Sequence, residues 1–179
     1  MKPRITLAVV TAVAALGWDA YGVPSVGTSR PDTELADAWD RRVRLGAFAG
    51  RPLLVVYEDK DTAETNAPLK SDLSRLASGE KYRSTIALVA IADVSGYDYW
   101  PVRGFVKDAI KAESKKQNLV IYCDWDGHVR RGLALNKDAS NIVLYGKDGK
   151  VLFARAGTLS TAERGELLSL LRRQVGEKT

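Results

Sequence analysis

The sequence predicts an α/β fold in which a mixed sheet is covered by helices. Three observations carry this expectation. Continuous apolar runs, suited to strands buried on both faces, alternate with stretches whose apolar residues fall at helical spacing. An Asp148-Gly149 pair stands between two apolar runs near the end, which signals a hairpin. Ser160, followed three residues on by Glu163, forms a capping box that opens a final helix.

The elements follow in chain order. Thr33 is placed to cap a short helix over Glu34–Arg44, with Leu35, Ala38 and Trp39 on one face; the alternative is an irregular arm draped on the domain. Gly50-Arg51-Pro52 leads into a strand over Leu53–Tyr57. A helix is expected from about Asn66 to Ala77, with Leu69, Leu73 and Leu76 inward and Gly79 as its stop. A second buried strand lies within Ser84–Ala92, and the Gly96–Pro101 loop follows. Gly104–Gln117 reads as a helix with Phe105, Ala109 and Ala112 inward and lysines outward. Leu119–Tyr122 is a third strand, Asp124–Gly127 a turn, and Val129–Leu135 a short segment. Ile142–Tyr145 and Val151–Ala154 form the hairpin, and Thr161–Val175 the last helix, with leucines 167, 168, 170 and 171 as its buried face. Crossover helices make the first strands parallel, and the hairpin adds an antiparallel pair.

Domain organisation follows from composition. The chain has 179 residues, 45% of them hydrophobic and 27% charged, which suits one soluble domain of about 130 residues with extensions. Residues 1–22 stand apart. Lys2 and Arg4 precede an uncharged apolar run from Ile5 to Trp18, and Ala20-Tyr21-Gly22 offers small residues for cleavage, the layout of a secretory signal peptide. The run is short for a membrane span, which needs about 20 apolar residues; an uncleaved anchor is the alternative. The expectation is a signal peptide over 1–22, an arm over 23–48 and one domain over 49–176, in a periplasmic or secreted protein that has no membrane attachment after cleavage.

Without residues 1–22 the net charge falls from +5 to +4, and its basic clusters, such as Arg41-Arg42 and Arg130-Arg131, are interleaved with acids. That excludes a dense nucleic-acid-binding patch. Glycines are scattered with no phosphate loop, so no cofactor is expected, and one histidine with one cysteine cannot make a His- or Cys-rich metal site. A single cysteine also excludes an internal disulfide.

Two stretches carry a resemblance. Ile121-Tyr122-Cys123-Asp124-Trp125-Asp126-Gly127 resembles the D-x-D/N-G turn before the last strands of periplasmic thioredoxin-like and peroxiredoxin-like proteins. Asn141–Val151, then Gly157, Leu159 and a helix, resembles their terminal hairpin and helix. More narrowly, the chain is similar to the YtfJ family of exported thioredoxin-fold proteins. It shares the leader, a cysteine-free first loop with Ala63-Glu64-Thr65-Asn66-Ala67, and the hairpin Val143-Leu144-Tyr145-Gly146-Lys147-Asp148-Gly149-Lys150. The resemblance covers about residues 45–175 and implies a thioredoxin-like three-layer sandwich: a mixed central sheet with a C-terminal antiparallel hairpin and a terminal helix.

It also implies where the chemistry of that fold would sit. The dithiol belongs just past the first buried strand, where Thr62 and Thr65 stand instead, within two residues either way. Hydroxyls there cap a helix or bind an anion, but form no disulfide. The cis-proline of the fold matches Ser140 or a neighbour, where a trans peptide is expected. Cys123 ends the third strand among Val120, Ile121 and Tyr122. That setting, with Asp124 beside it, raises a thiol's pKa.

Two function classes remain. One is a redox-inert binding or scaffold module for an unknown protein or small-molecule partner. The other is a one-cysteine thiol peroxidase or oxidoreductase using Cys123. Tyr97, Tyr99, Trp100 and Phe105 form the densest aromatic group: buried, they are a core lid; exposed, Tyr97, Tyr99 and Trp100 are a partner patch. His128 is read as a solvated turn residue, and Asp124 and Asp126 as turn formers.

Overall fold

Strand β3, Leu53–Glu58, is buried at all six positions and stands at the centre of the sheet. The computed structural model describes residues 22–177; the expected signal peptide lies outside the described residues. Around β3 the five-stranded sheet runs β5-β4-β3-β6-β7. β4 (Ala87–Asp93) and β5 (Ile121–Asp124) are parallel to it. β6 (Asn141–Tyr145) and β7 (Val151–Ala156) are antiparallel. In the hairpin between them Gly149 takes φ +75°, the left-handed conformation that favours glycine, and Asp148 accepts from the Lys150 amide.

Alternation along the strands sends side chains to two cores. Leu54 and Val56 pack with Ile142, Leu144 and Phe153 under α1 (Ala67–Ala77) and α5 (Thr161–Gln174), which supply Leu69, Leu167 and Leu171. The capping box at Ser160 and Glu163 is formed. Helix α3 (Val102–Gln117) packs Val106 and Ile110 against Cys123 and Ala92, whose register places them on that same face. Leu53, Val55 and Tyr57 face the other way, toward Leu35 and Leu45 of the N-terminal arm and Val129 and Leu133 at α4 (His128–Gly132). The layers are therefore helices, sheet, then arm with α4.

Three expectations change. The arm forms no helix over 34–44. Glu34–Ala36 (β1) and Arg42–Arg44 (β2) pair antiparallel around a turn that Asp37 organises by accepting from the amides of Trp39 and Arg41. Local side-chain-to-backbone bonds of this kind compete with helix. Nor is the arm merely draped, because Leu35 and Leu45 are both 0% exposed. A short helix α2 (Glu80–Thr85) precedes β4, where the strand was expected to begin. Helix α3 is turned about its axis: Val106, Ile110 and Ser114 point inward, while Phe105, Ala109 and Ala112 face solvent. Its sequence carries two apolar spacings, and the longer β-branched pair is the one buried.

The arm touches both outer strands. Ser29 bridges Lys150 beside β7, and Asp37 bridges Tyr122 on the outer side of β5. Among the described residues no helix is long and apolar enough to cross a membrane.

Candidate functional site

Each parallel strand ends on a buried acid: Glu58 on β3, Asp93 on β4 and Asp124 on β5. The carboxyl ends of parallel strands are where open α/β sheets build their sites, and buried carboxylates there need partners. Glu58 and Asp124 find them in two clusters, one on each face, while Asp93 accepts from the amide and hydroxyl of Ser95.

On the helical face Glu58 joins α1 to the loop before β6. Its Oε1 accepts from Ser140 Oγ at 2.7 Å, and its Oε2 meets Lys70 Nζ at 2.6 Å. Ser140 Oγ accepts in turn from Asn66 Nδ2 at 2.9 Å. Asn66 also donates to the Gly157 carbonyl and accepts from the Leu159 amide, each at 2.9 Å. Lys70 further donates to the Ala63 carbonyl, which closes the loop ahead of α1. Ser140 is presented by Asn141, whose buried side chain ties Asn136 and Ala139. The 139–140 peptide is trans, as expected; among the described residues the only cis peptide is Trp100–Pro101.

The resemblance leads to the expectation of the fold's dithiol position at Thr62 and Thr65 and its cis-proline position at Ser140. Ser140 belongs to this network, but Thr62 does not. Its hydroxyl and amide both donate to Asp59 Oδ1, at 2.8 Å each, a loop-folding role. Thr65 lines a small cleft of about 160 Å³ with Asn66, Thr158, Thr161 and Arg164. The residues of this network that sequence reasoning missed are Asn66 and Glu58, the partners of Ser140, and Lys70, the partner of Glu58. The one available signal was a polar residue ending an otherwise apolar strand, Glu58.

On the opposite face Tyr57 donates to Asp124 Oδ2 at 3.0 Å, and burial raises the pKa of the phenol. Asp124, 0% exposed, also accepts from the amides of Val129 and Arg130, so it holds the start of α4. Asp126 folds the turn by accepting from the His128 amide at 3.0 Å, with Gly127 at φ +74°. His128 is less free than expected. Its Nδ1 lies 2.6 Å from Asp126 Oδ1, and its Nε2 lies 2.9 Å from the Glu34 carbonyl of β1. Burial alone would lower its pKa; the Glu34 carbonyl and then the Asp126 carboxylate outweigh that and hold it above the ordinary histidine value. One atom each of Asp124, Asp126 and His128 lie within 4.8 Å of one another. In the structure the His128 ring and Asp126 Oδ1 bond to each other, and Asp124 is bonded to Tyr57 and the start of α4.

Cys123 lies inside β5, paired with Ala92, and is 2% exposed among Ala38, Val94 and Trp125. Burial pushes its thiol up to about 11, and the charges that add to this are those of Asp37 and then Asp40, both from the arm. Asp124, expected to act on the thiol, points to the other face of the sheet. A thiol at about 11 is almost wholly protonated at neutral pH and is a poor nucleophile.

The aromatic group splits. Tyr97 packs against the cluster around Cys123. Tyr99, Trp100 and Phe105 are 58%, 92% and 73% exposed, so a core lid is excluded for these three. A shallow cleft of about 350 Å³ lies beside Tyr99 and Trp100, between Arg103 and Lys107. Both cations are paired, Arg103 with Asp98 and Lys107 with Asp40.

Fold and site together define a thioredoxin-like protein with no dithiol. The chain belongs to the YtfJ_HI0045 family, bacterial proteins of unknown function, whose model matches residues 47–174. Its fold is shared by a protein described as a thiol:disulfide interchange protein DsbE from Chlorobium tepidum (18% identity, TM-score 0.63, covering 85% of this chain and 99% of that one). A thiol-disulfide oxidoreductase from Bacteroides fragilis is similar at 21% identity, TM-score 0.59, 80% and 99% coverage. So is a secreted Mycobacterium tuberculosis disulfide oxidoreductase homologous to E. coli DsbE, at 17% identity, TM-score 0.57, 80% and 97% coverage. No curated protein matches the sequence.

Proposed function

We propose that this protein is an exported binding module on a thioredoxin-like fold that performs no thiol chemistry. One observation carries the reading. Where the fold's redox centre would stand, Asn66, Ser140, Glu58 and Lys70 bond to one another, and the chain's only thiol is buried elsewhere. Dithiol exchange needs an accessible thiolate and a resolving partner, and a single cysteine supplies no resolving partner within the chain. The basic start and apolar run of residues 2–18 support export.

Binding is assigned to the surface of Tyr99 and Trp100, extended by Phe105. Exposed aromatics are costly to leave in water and are enriched where proteins meet partners.

The test is the alkylation rate of Cys123 in the folded protein against the same protein in denaturant, together with peroxide consumption and disulfide reduction. A folded rate at least about 100-fold below the denatured one, the factor expected for a buried protonated thiol, with no turnover, supports the reading. A comparable folded rate with turnover of peroxide would replace it with a one-cysteine redox enzyme. Mass measurement of the envelope form reads export: loss of residues 1–22 supports it, and an intact cytoplasmic chain refutes it.

A further inference from the structure

We infer that His128 is a pH-operated latch on the N-terminal arm: its protonated ring clamps β1 to the core, and deprotonation loosens the segment that covers Cys123 and the edge of β5. The geometry is two-sided. Both ring nitrogens face acceptors, Asp126 Oδ1 at 2.6 Å and the Glu34 carbonyl at 2.9 Å, with Asp124 Oδ1 a further 3.5 Å from Nδ1. A neutral imidazole carries one N–H and an imidazolium two. Only the charged ring satisfies both contacts, so losing the proton leaves a ring lone pair facing an oxygen.

The arm side of that contact leads directly to what is covered. Three residues after Glu34, Asp37 bridges Tyr122 on β5. The next residue, Ala38, is 1% exposed and packs against Cys123. The other ties of the arm do not involve the ring: Asp40 of the turn pairs with Lys107 of α3 at 2.6 Å, Asp32 with Arg44 and the Gly46 amide, and Leu35 and Leu45 are buried. Loosening the latch therefore makes local opening of the 36–40 turn cheaper without dissolving the fold.

The charged groups around the ring come from every neighbouring element. Asp124 ends β5 and Asp126 lies in the turn. Arg130 and Arg131 are on α4, with Arg131 donating to the Asp126 carbonyl. From the arm come the Glu34 carboxylate and Arg42, which pair with each other at 2.8 Å. His128 is the residue of this set whose ordinary pKa, near 6.5, lies within the range tested. Its folded value is raised. The clamp is thus fully present below the ordinary histidine value and is lost as pH rises through the folded value.

The experiment is native-state hydrogen exchange on the full chain from pH 5 to 8.5, alongside the NMR titration of His128. Protection factors remove the intrinsic pH dependence of exchange. The expected result is protection at the Asp37 and Tyr122 amides falling by roughly threefold or more, with a midpoint that tracks the His128 titration. His128→Gln is expected to give low, flat protection. Should that variant fail to fold, Asp126→Asn keeps the imidazole and is expected to move the midpoint to lower pH. Flat protection in the unaltered protein, an unshifted midpoint in Asp126→Asn, or the same pH curve in His128→Gln would overturn the latch.

Discussion

The cluster at Glu58 and the cluster at Asp124 occupy matching positions, at the ends of parallel strands on opposite faces of one sheet, yet they are closed in different ways. At Glu58 the closing groups are an amide, a hydroxyl and an ammonium, reaching from α1 and the loop before β6. At Asp124 they are a phenol, two amides and, through Asp126, an imidazole that reaches the arm. A buried acid can therefore serve either as a fixed tie between core elements or as the base of a contact that responds to solvent. The partners decide which.

Substitutions sharpen that contrast. The largest effect is expected from Asn66→Ala, which strips partners from Ser140 Oγ, the Gly157 carbonyl and the Leu159 amide together. The loss should be about 2–4 kcal/mol, read by chemical denaturation, since each stranded buried group costs roughly 1–3 kcal/mol. A change below about 0.5 kcal/mol, the range of ordinary surface substitutions, would mean the network is not a structural tie.

Lys70→Met comes next, at about 1–3 kcal/mol, because it leaves the Glu58 carboxylate with Ser140 alone. The figure sits at the low end of the range for broken buried pairs because Lys70 is 40% exposed. Adding Glu58→Gln should recover part of the loss; full additivity in that double-mutant cycle would show that the pair is not coupled.

His128→Gln should destabilise the protein near pH 5, read by chemical denaturation, and the loss should shrink as pH rises through the folded histidine value. The sign follows from the raised pKa: a group that binds its proton more tightly when folded stabilises the fold at low pH. A loss that grows with pH would contradict the two-acceptor geometry. Smallest of all, Trp100→Ser should change stability by less than about 0.5 kcal/mol, as an exposed substitution does, read by chemical denaturation.

Much of the fold was legible because its signals are local. The all-buried β3 run, the Asp148-Gly149 turn and the Ser160–Glu163 capping box each follow from a few adjacent residues. The arm was not legible. Its turn depends on the Asp37 side chain competing for backbone amides, and its strand character depends on pairing that a helical spacing of Leu35, Ala38 and Trp39 conceals. Helix α3 was assigned the wrong inward face because Phe105, Ala109 and Ala112 recur at helical spacing as regularly as Val106 and Ile110 do, and only the sheet beneath decides between them.

In the candidate site Ser140 was singled out by its place in the sequence, and it bonds Asn66 and Glu58. Asn66 and Lys70 were not, since their bonds to Ser140 and Glu58 join residues far apart in sequence. Cys123 is a buried thiol, and the acids acting on it are Asp37 and then Asp40 from the arm, not its neighbour Asp124, because adjacent strand residues face opposite sides.

The arm's two bridges, Ser29 to Lys150 and Asp37 to Tyr122, have a consequence for self-assembly. One segment lies against both outer strands of the sheet, so a protein lacking it would bare two edges at once. A sheet with one free edge can pair with a copy of itself and stop as a dimer. A sheet with two free edges can add copies at both ends, as a ring where the rotation closes and as an open filament where it does not. The arm thereby shields one position on each outer edge, where strand pairing between copies would otherwise begin.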